Sequence, residues 1–259
     1  MLPRVLVLRA PGTNCDVESA FAFEQAGAAV ESLHVNRVLE NPRVFEQFQI
    51  LCLPGGFSYG DDLAAGRILG AQLRLHLGDR LREFHAAGKL VLGICNGFQV
   101  LMQSGLLFNG AAQGEHPPAT LTNNHSGHFE ARWICLQRAS DRCVFLNGIE
   151  KMYLPIAHGE GRFVSRSAEM LQNLDRGGQL CLKYAAADGT SHALAFPENP
   201  NGSQADVAGM CDPTGRIFGL MPHPERHIDH TQHPRWTRQP GVGPGDGLRV
   251  FQNAVRYFQ

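Results

Sequence analysis

The sequence predicts an α/β fold whose central, mostly parallel sheet is flanked by helices and extended by antiparallel strands. Three observations carry that expectation. Short β-branched and leucine-rich runs alternate with helix-period segments through the first half of the chain, and two of these runs, 4–8 and 49–53, end in Gly/Pro-containing loops. Beyond them come short strand-like runs separated by turns, which suit antiparallel additions to the same sheet.

Residues 4–8 (RVLVL) read as the first strand, ended by Ala10-Pro11-Gly12, and residues 17–26 as a helix with Val17, Phe21 and Ala22 on one face and Gly27 as its stop. Residues 29–35 read as a second strand, Phe45 opens a short helical connection, and residues 49–53 (QILCL) form a buried strand closed by Pro54-Gly55-Gly56. The spacing predicts one helix over 63–84, a strand over 89–94 and a helix from 97 to 103. In the second half, 129–136, 154–157, 180–184 and 217–221 read as short strands. A closing helix over 249–258 places Val250, Ala254, Val255 and Phe258 on one face, after a Gly/Pro-rich loop at 239–247. With no internal repeat or low-complexity tract, residues 1–259 are expected to form a single domain.

Composition narrows the class. The 259 residues suffice for a substantial core, and 23 Lys+Arg against 24 Asp+Glu leave a net charge of -1, with 18% charged and 43% hydrophobic residues. Neither disorder nor a broad basic face for nucleic acid follows from such a balance. The start, MLPRVLVLRAPGTNCD, has too short an apolar run for a signal peptide, and no stretch of about 18 uninterrupted apolar residues occurs, so a cytoplasmic location is expected. The 7 cysteines, at 15, 52, 95, 135, 143, 181 and 211, form no CxxC pair, so a disulfide framework is not expected and most should be small buried hydrophobes.

The segment 89–103, KLVLGICNGFQVLMQ, carries the first chemical signal. An apolar strand runs into Gly93-Ile94-Cys95-Asn96-Gly97, and a helical pattern follows at once. This G-x-C-x-G has the spacing of a nucleophile elbow, in which small neighbours permit a sharp strand-to-helix turn that presents the central side chain at the sheet edge. The helix dipole there favours thiolate, and the Asn96 N–H points at the oxygen of whatever Cys95 attacks. One more buried thiol at a strand end is the bland alternative; the two glycines and the strand-to-helix switch argue against it.

An elbow cysteine needs a base. In IFGLMPHPE (217–225) prolines on both sides of His223 remove backbone donors, so the segment is a stiff loop just past a strand end. If it stays extended, residues i and i+2 face the same way and Glu225 can reach one ring nitrogen of His223. A Cys95-His223-Glu225 triad follows if the loop lies beside the elbow. On this reading Cys95 alone among the cysteines combines a helix N-terminus with a nearby imidazole. His223, His227, His230 and His233 also invite a zinc reading, but HPERH is not HExxH and Pro224 would break the helix that such ligands need, so no metal is expected. No G-x-x-x-x-G-K-[ST] is present, so no phosphate cradle for ATP is expected either.

These residues resemble those of the class I, triad-type glutamine amidotransferases, and within them the family of glutaminase subunits of phosphoribosylformylglycinamidine synthase. The matching stretches are APGTNCD (10–16), LPGGFSYGDDLAAGRI (53–68), GICNGFQVLMQSGLL (93–107), PIAHGEGRF (155–163), NPNGSQADVAGMCDPTGRIFGLMPHPER (199–226) and GDGLRVFQNA (245–254). The elbow and P-H-P-E are shared across the superfamily; PGGFSYGDDLAAGR, HGEGRF and NPNGS are specific to the narrower family.

The resemblance implies a flavodoxin-like class I amidotransferase fold, with Cys95 as nucleophile, His223 as general base and acid, and Glu225 as its partner. It implies oxyanion N–H groups from Gly55, Gly56 and Asn96, and a glutamine pocket using Gln99, Phe57 and the loop His158-Gly159-Glu160-Gly161. The implied reaction releases ammonia from glutamine for a synthetase partner that converts formylglycinamide ribonucleotide to the amidine in purine synthesis. No cofactor is expected in this chain; ATP and Mg belong to the partner, beside a small accessory subunit. Residues 109–129 and 227–244 are longer or more divergent than the family pattern, which leaves oligomer and partner contacts open. Rival readings are another class I amidotransferase, a γ-glutamyl hydrolase or cysteine peptidase on the same elbow, and a catalytically silent scaffold subunit.

Overall fold

The structure, a computed structural model, describes residues 2–108, 117–189, 192–238 and 243–259. The first half follows the expected alternation: β1 (Arg4–Arg9), α1 (Asp16–Gln25), β2 (Ala29–His34), α2 (Val35–Glu40), β3 (Ile50–Leu53), α3 (Arg67–His76), α4 (Gly78–Ala86), β4 (Leu90–Ile94) and α5 (Asn96–Ser104). The second half holds β5 (Ala119–Asn123), β6 (Glu130–Arg138), β7 (Lys151–His158), β8 (Glu160–Ser165), α6 (Ala168–Arg176), β9 (Leu182–Ala185), β10 (Val207–Cys211), β11 (Ile217–Leu220) and α7 (Leu248–Arg256). Phe45 lies in a 3-10 segment, Pro42–Gln47.

One 9-stranded sheet runs β2-β1-β3-β4-β11-β10-β9-β6-β7. From β2 to β11 its neighbours are parallel, and from β11 onward antiparallel. The central strands β3, β4 and β11 are buried throughout, which is why they read as continuous apolar runs, whereas edge strand β7 alternates. Helices flank the sheet in pairs: α1 packs on α7, where Phe23 and Phe251 meet edge to face at 4.9 Å, and α3 packs on α5. Among the described residues no helix is long and apolar enough to cross a membrane.

The fold departs from the sequence expectations in several places. The helix expected over 63–84 is two helices broken at Leu77, preceded by a loop in which Leu63 and Gly66 both take φ of 70°. The break lets α3 lie on α5 while α4 turns onto the 3-10 segment. The second half contains a helix, α6, capped by Ser167, whose hydroxyl accepts from the Met170 N–H at 3.2 Å. Strands β5, β8 and β10 add to those expected, with β5 and β8 pairing in a sheet of their own. The stretch His158-Gly159-Glu160-Gly161 is not a loop: His158 ends β7, Glu160 starts β8, and Gly159 is the point where the chain leaves one sheet for the other. Much of the divergent 109–129 segment and of the 239–247 loop falls at 109–116 and 239–242, outside the described residues.

The hairpin from β10 to β11 explains how the sheet changes direction. The buried Asp212 carboxylate accepts from the N–H groups of Thr214, Arg216 and Ile217 at 3.0, 2.9 and 2.8 Å. Burial opposes its charge, but bonds from His85, Ile217 and Thr214 prevail and hold its pKa down to about 2.

Candidate active site

Register brings the site together. Leu53 pairs with Gly93 and Ile94 with Leu220, so β3, β4 and β11 end at one edge and release the glycine loop, the elbow and the histidine loop side by side. Cys95 takes φ 50° and ψ -106° between β4 and α5, a conformation rare outside glycine. Its N–H donates to the Leu220 carbonyl at 2.8 Å, and its carbonyl accepts from the N–H groups of Phe98 and Gln99 at 2.9 and 3.1 Å. The elbow is thus anchored on β11 and on its own helix. The Cys95 Sγ lies 3.8 Å from the Ala157 carbonyl near the end of β7.

His223 is fixed from both sides. Its N–H donates to the Pro155 carbonyl at 2.9 Å, so β7, at the far edge of the sheet, curls round to border the catalytic loop. Its Nδ1 lies 2.6 Å from Glu225 Oε1, with the two residues 2% and 1% exposed. The reach differs from the extended geometry expected: Glu225 turns back through a 3-10 turn, Pro224–Arg226, that Pro224 starts. Burial would lower the His223 pKa, but the Glu225 carboxylate, then Cys95 and Cys15, raise it well above the ordinary value. The His223 Nε2 is buried without a hydrogen-bond partner among the described residues, and both thiols bear on the ring electrostatically.

Cys15 is the residue that sequence reasoning missed. It caps the N-terminus of α1, is 1% exposed, and its ligand atom lies within 4.8 Å of those of His223 and Glu225. Two cysteines, not one, therefore combine a helix N-terminus with the imidazole. Their surroundings differ: the Cys15 thiol donates to Asn14 Oδ1 at 3.3 Å and accepts from Arg226 Nη2 at 3.1 Å, and burial, its largest influence, raises its pKa. Arg226 also pairs with Glu18 at 2.7 Å, tying the histidine loop to α1. The APGTNCD stretch, which carries no spacing relation to His223, was the available signal.

The predicted pocket residues converge on the same edge. A Cβ on Gly55 would lie 2.9 Å from His223 Cε1 and 3.1 Å from Cys15 Sγ, so only glycine lets the ring sit there. Gly56, at φ 135°, bridges to Thr13, and Phe57 is 45% exposed beside it. The Asn96 side chain accepts from the Ser58 N–H at 3.1 Å and donates to Asp61 Oδ1 and Gln99 Oε1, each at 3.0 Å. Gln99 in turn donates to the Glu160 carbonyl, so both ends of its amide are engaged within the wall. Asp61, pushed up to about 6 by burial and by the Glu160 carboxylate, had gone unremarked in the sequence.

His158 is buried with Nδ1 3.1 Å from Asn124 Oδ1, and its pKa is pushed down to about 3 by burial and by His223. It is a neutral ring in the wall. The Gly159 carbonyl accepts from the Asn124 N–H at 2.8 Å. Asn201, from NPNGS, donates to the Gly161 carbonyl at 2.8 Å and to the Tyr184 hydroxyl at 2.9 Å, which fixes the start of β8. His227 and His233 pack their rings on Trp133 at 5.0 and 4.9 Å, and His227 Nδ1 meets the Tyr153 carbonyl at 2.8 Å.

Comparison with known proteins gives the family. Residues 2–258 match the model of the CobB/CobQ-like glutamine amidotransferase domain. The chain is 46% identical over 255 residues to phosphoribosylformylglycinamidine synthase subunit PurQ of Dehalococcoides mccartyi, covering 98% of this chain and 97% of that protein. It is 38% identical over 268 residues to the subunit of the same name from Methanococcus maripaludis, covering 100% and 98%. Among solved structures, a chain of PurLQS from Thermotoga maritima superposes with a TM-score of 0.75 at 31% identity, with 100% of both chains covered. A glutamine amidotransferase from Thermotoga maritima shares the fold, with a TM-score of 0.53 at 18% identity over 92% of this chain and 82% of that one.

Proposed function

The chain belongs to the family of CobB/CobQ-like glutamine amidotransferase domains, and from that premise we propose that it is the glutaminase subunit of phosphoribosylformylglycinamidine synthase in purine biosynthesis. It acts as one amidotransferase domain in a cytoplasmic complex with a synthetase and a small accessory subunit.

The 2.6 Å contact of His223 with Glu225, on a ring that reaches the elbow cysteine, carries the mechanism. His223 takes the Cys95 proton, and the sulfur attacks the side-chain amide carbon of glutamine. N–H groups of Asn96 and of the Gly55-Gly56 loop bind the oxyanion. His223 returns the proton to the departing ammonia, leaving a γ-glutamyl thioester that water, activated by the same ring, hydrolyses to glutamate. Glu225 supports the imidazolium through both steps. Phe57, Gln99, His158 and Gly159 wall the glutamine pocket, Gln99 through its hold on the Glu160 carbonyl. ATP and Mg act in the synthetase, which uses the ammonia to form the amidine.

With Cys95 6% exposed and His223 2%, the site stands nearly closed to bulk water. Docking of the synthetase therefore opens or completes it, and the chain on its own is a slow glutaminase. The test is the reconstituted complex: Cys95→Ala should abolish glutamine-dependent amidine synthesis and leave synthesis from added ammonia largely intact. An assembled mutant complex that ammonia cannot rescue would show the two-site scheme to be wrong.

A further inference from the structure

Cys143, Cys181 and Cys211 arrive from three separate segments: the residue before the 3-10 turn Val144–Leu146, the residue before β9, and the last residue of β10. Their Sγ atoms lie within 4.8 Å of one another. Cys181 and Cys211 are 0% exposed and Cys143 2%. Cys211 pairs with Phe218, whereas Leu220 pairs with Ile94, so the trio lies toward the opposite end of β11 from Cys95. It takes no part in the proposed amide hydrolysis.

Isolated buried thiols serve as small hydrophobes, but three sulfurs meeting in one enclosed place form the donor set of a soft metal ion. We propose that Cys143, Cys181 and Cys211 form a three-coordinate thiolate site for a soft d10 cation, copper(I) in the first instance. Metal–sulfur bonds of about 2.3 Å put trigonal sulfurs about 4 Å apart, so closing this cluster needs movements of about an ångström or less. Among the described residues no fourth His, Cys, Asp or Glu atom joins the group, which disfavours zinc, and hard cations prefer oxygen.

The Cys181 and Cys211 thiols have only long contacts to backbone, with the Gly209 carbonyl at 4.0 Å and the Gly178 carbonyl at 3.9 Å, so among the described residues no strong hydrogen bond competes with a metal for their sulfurs. Binding as three thiolates requires the three thiol protons to leave to solvent for each cation that enters. The extra negative charge faces a cleft of about 450 Å³ that Cys143 lines together with Arg142, Arg249 and Arg256.

The experiment uses the full chain carrying Cys15→Ala and Cys95→Ala, which removes the other thiol pair, under anaerobic reducing conditions. Copper(I) is offered against a chromogenic chelator. One ion per chain, with three sulfur scatterers in X-ray absorption, is the expected result. Adding Cys211→Ser should weaken binding more than the roughly tenfold loss typical of an outer-shell partner, whereas adding Cys135→Ser should leave it unchanged. Circular dichroism checks that each variant folds. No retained copper, equal affinity in a folded Cys211→Ser variant, or displacement of copper by zinc in a four-coordinate site would overturn the proposal.

Discussion

A Cβ on Gly97 would lie 1.8 Å from the carbonyl oxygen of Leu53. Helix α5 therefore passes over the end of β3 with no room for any side chain, directly after the elbow that carries Cys95. Gly97→Ala should cost about 3 kcal/mol or more, because the obstacle is backbone that cannot move aside, and should remove glutaminase activity with it. Urea denaturation and a glutaminase assay check both. Unchanged stability would mean that the elbow does not need this contact.

Glu225→Gln separates orientation from binding. The lost interaction strengthens as imidazolium forms, so kcat should fall about a hundredfold or more while KM for glutamine stays nearly constant. The His223 titration should move as well. In the wild type its raised pKa contributes stability that is full below the unfolded value of about 6.5 and lost as pH rises through the folded value. Without Glu225 burial acts with less opposition, so the folded pKa should drop, and if it passes below the unfolded value the dependence reverses. NMR titration of His223 in both proteins decides; an unmoved pKa would show that Glu225 is not its charge partner.

A diazoketone analogue of glutamine should label Cys95 alone. Cys15 reaches the same imidazole, but its thiol is spent on Asn14 and Arg226, and burial keeps it protonated. Peptide mapping of the labelled protein gives the answer. Label on Cys15, or labelling that persists unchanged in Cys95→Ala, would reassign the nucleophile.

What was legible in the sequence is what local spacing encodes. Gly93 and Gly97 around Cys95 fix an elbow, and the prolines around His223 fix a stiff loop, whatever the rest of the chain does. Leu69, Leu73, Leu77 and Leu81 are all buried at a four-residue period, so the apolar pattern continues across Leu77 although the helix breaks there. Strand β8 begins EGRF, a composition that reads as a loop, and becomes a strand because β5 pairs with it. Cys15 meets His223 only through the order β1-β3-β4-β11, and the Cys143, Cys181 and Cys211 cluster only through the β9-β10 pairing; no interval along the chain announces either contact.

Asp61 should give the wall of the site a pH dependence of its own. Its carboxyl is raised from the usual 3.8 to about 6 by burial and by the Glu160 carboxylate, against the hydrogen bonds from Gly66 and Asn96. A carboxyl raised on folding favours the folded state fully below the unfolded value, and that contribution is lost as pH rises through about 6. At neutral pH two carboxylates therefore strain the contact between the turn at 58–61 and the start of β8. Asp61→Asn keeps an oxygen for the Asn96 amide and removes one charge. The variant should be more stable than the wild type at pH 7 and lose that advantage as pH falls below the carboxyl's unfolded value, read as thermal midpoints along a pH series. Parallel stability curves across the series would show that Asp61 does not titrate in this range and that Glu160 leaves its charge undisturbed.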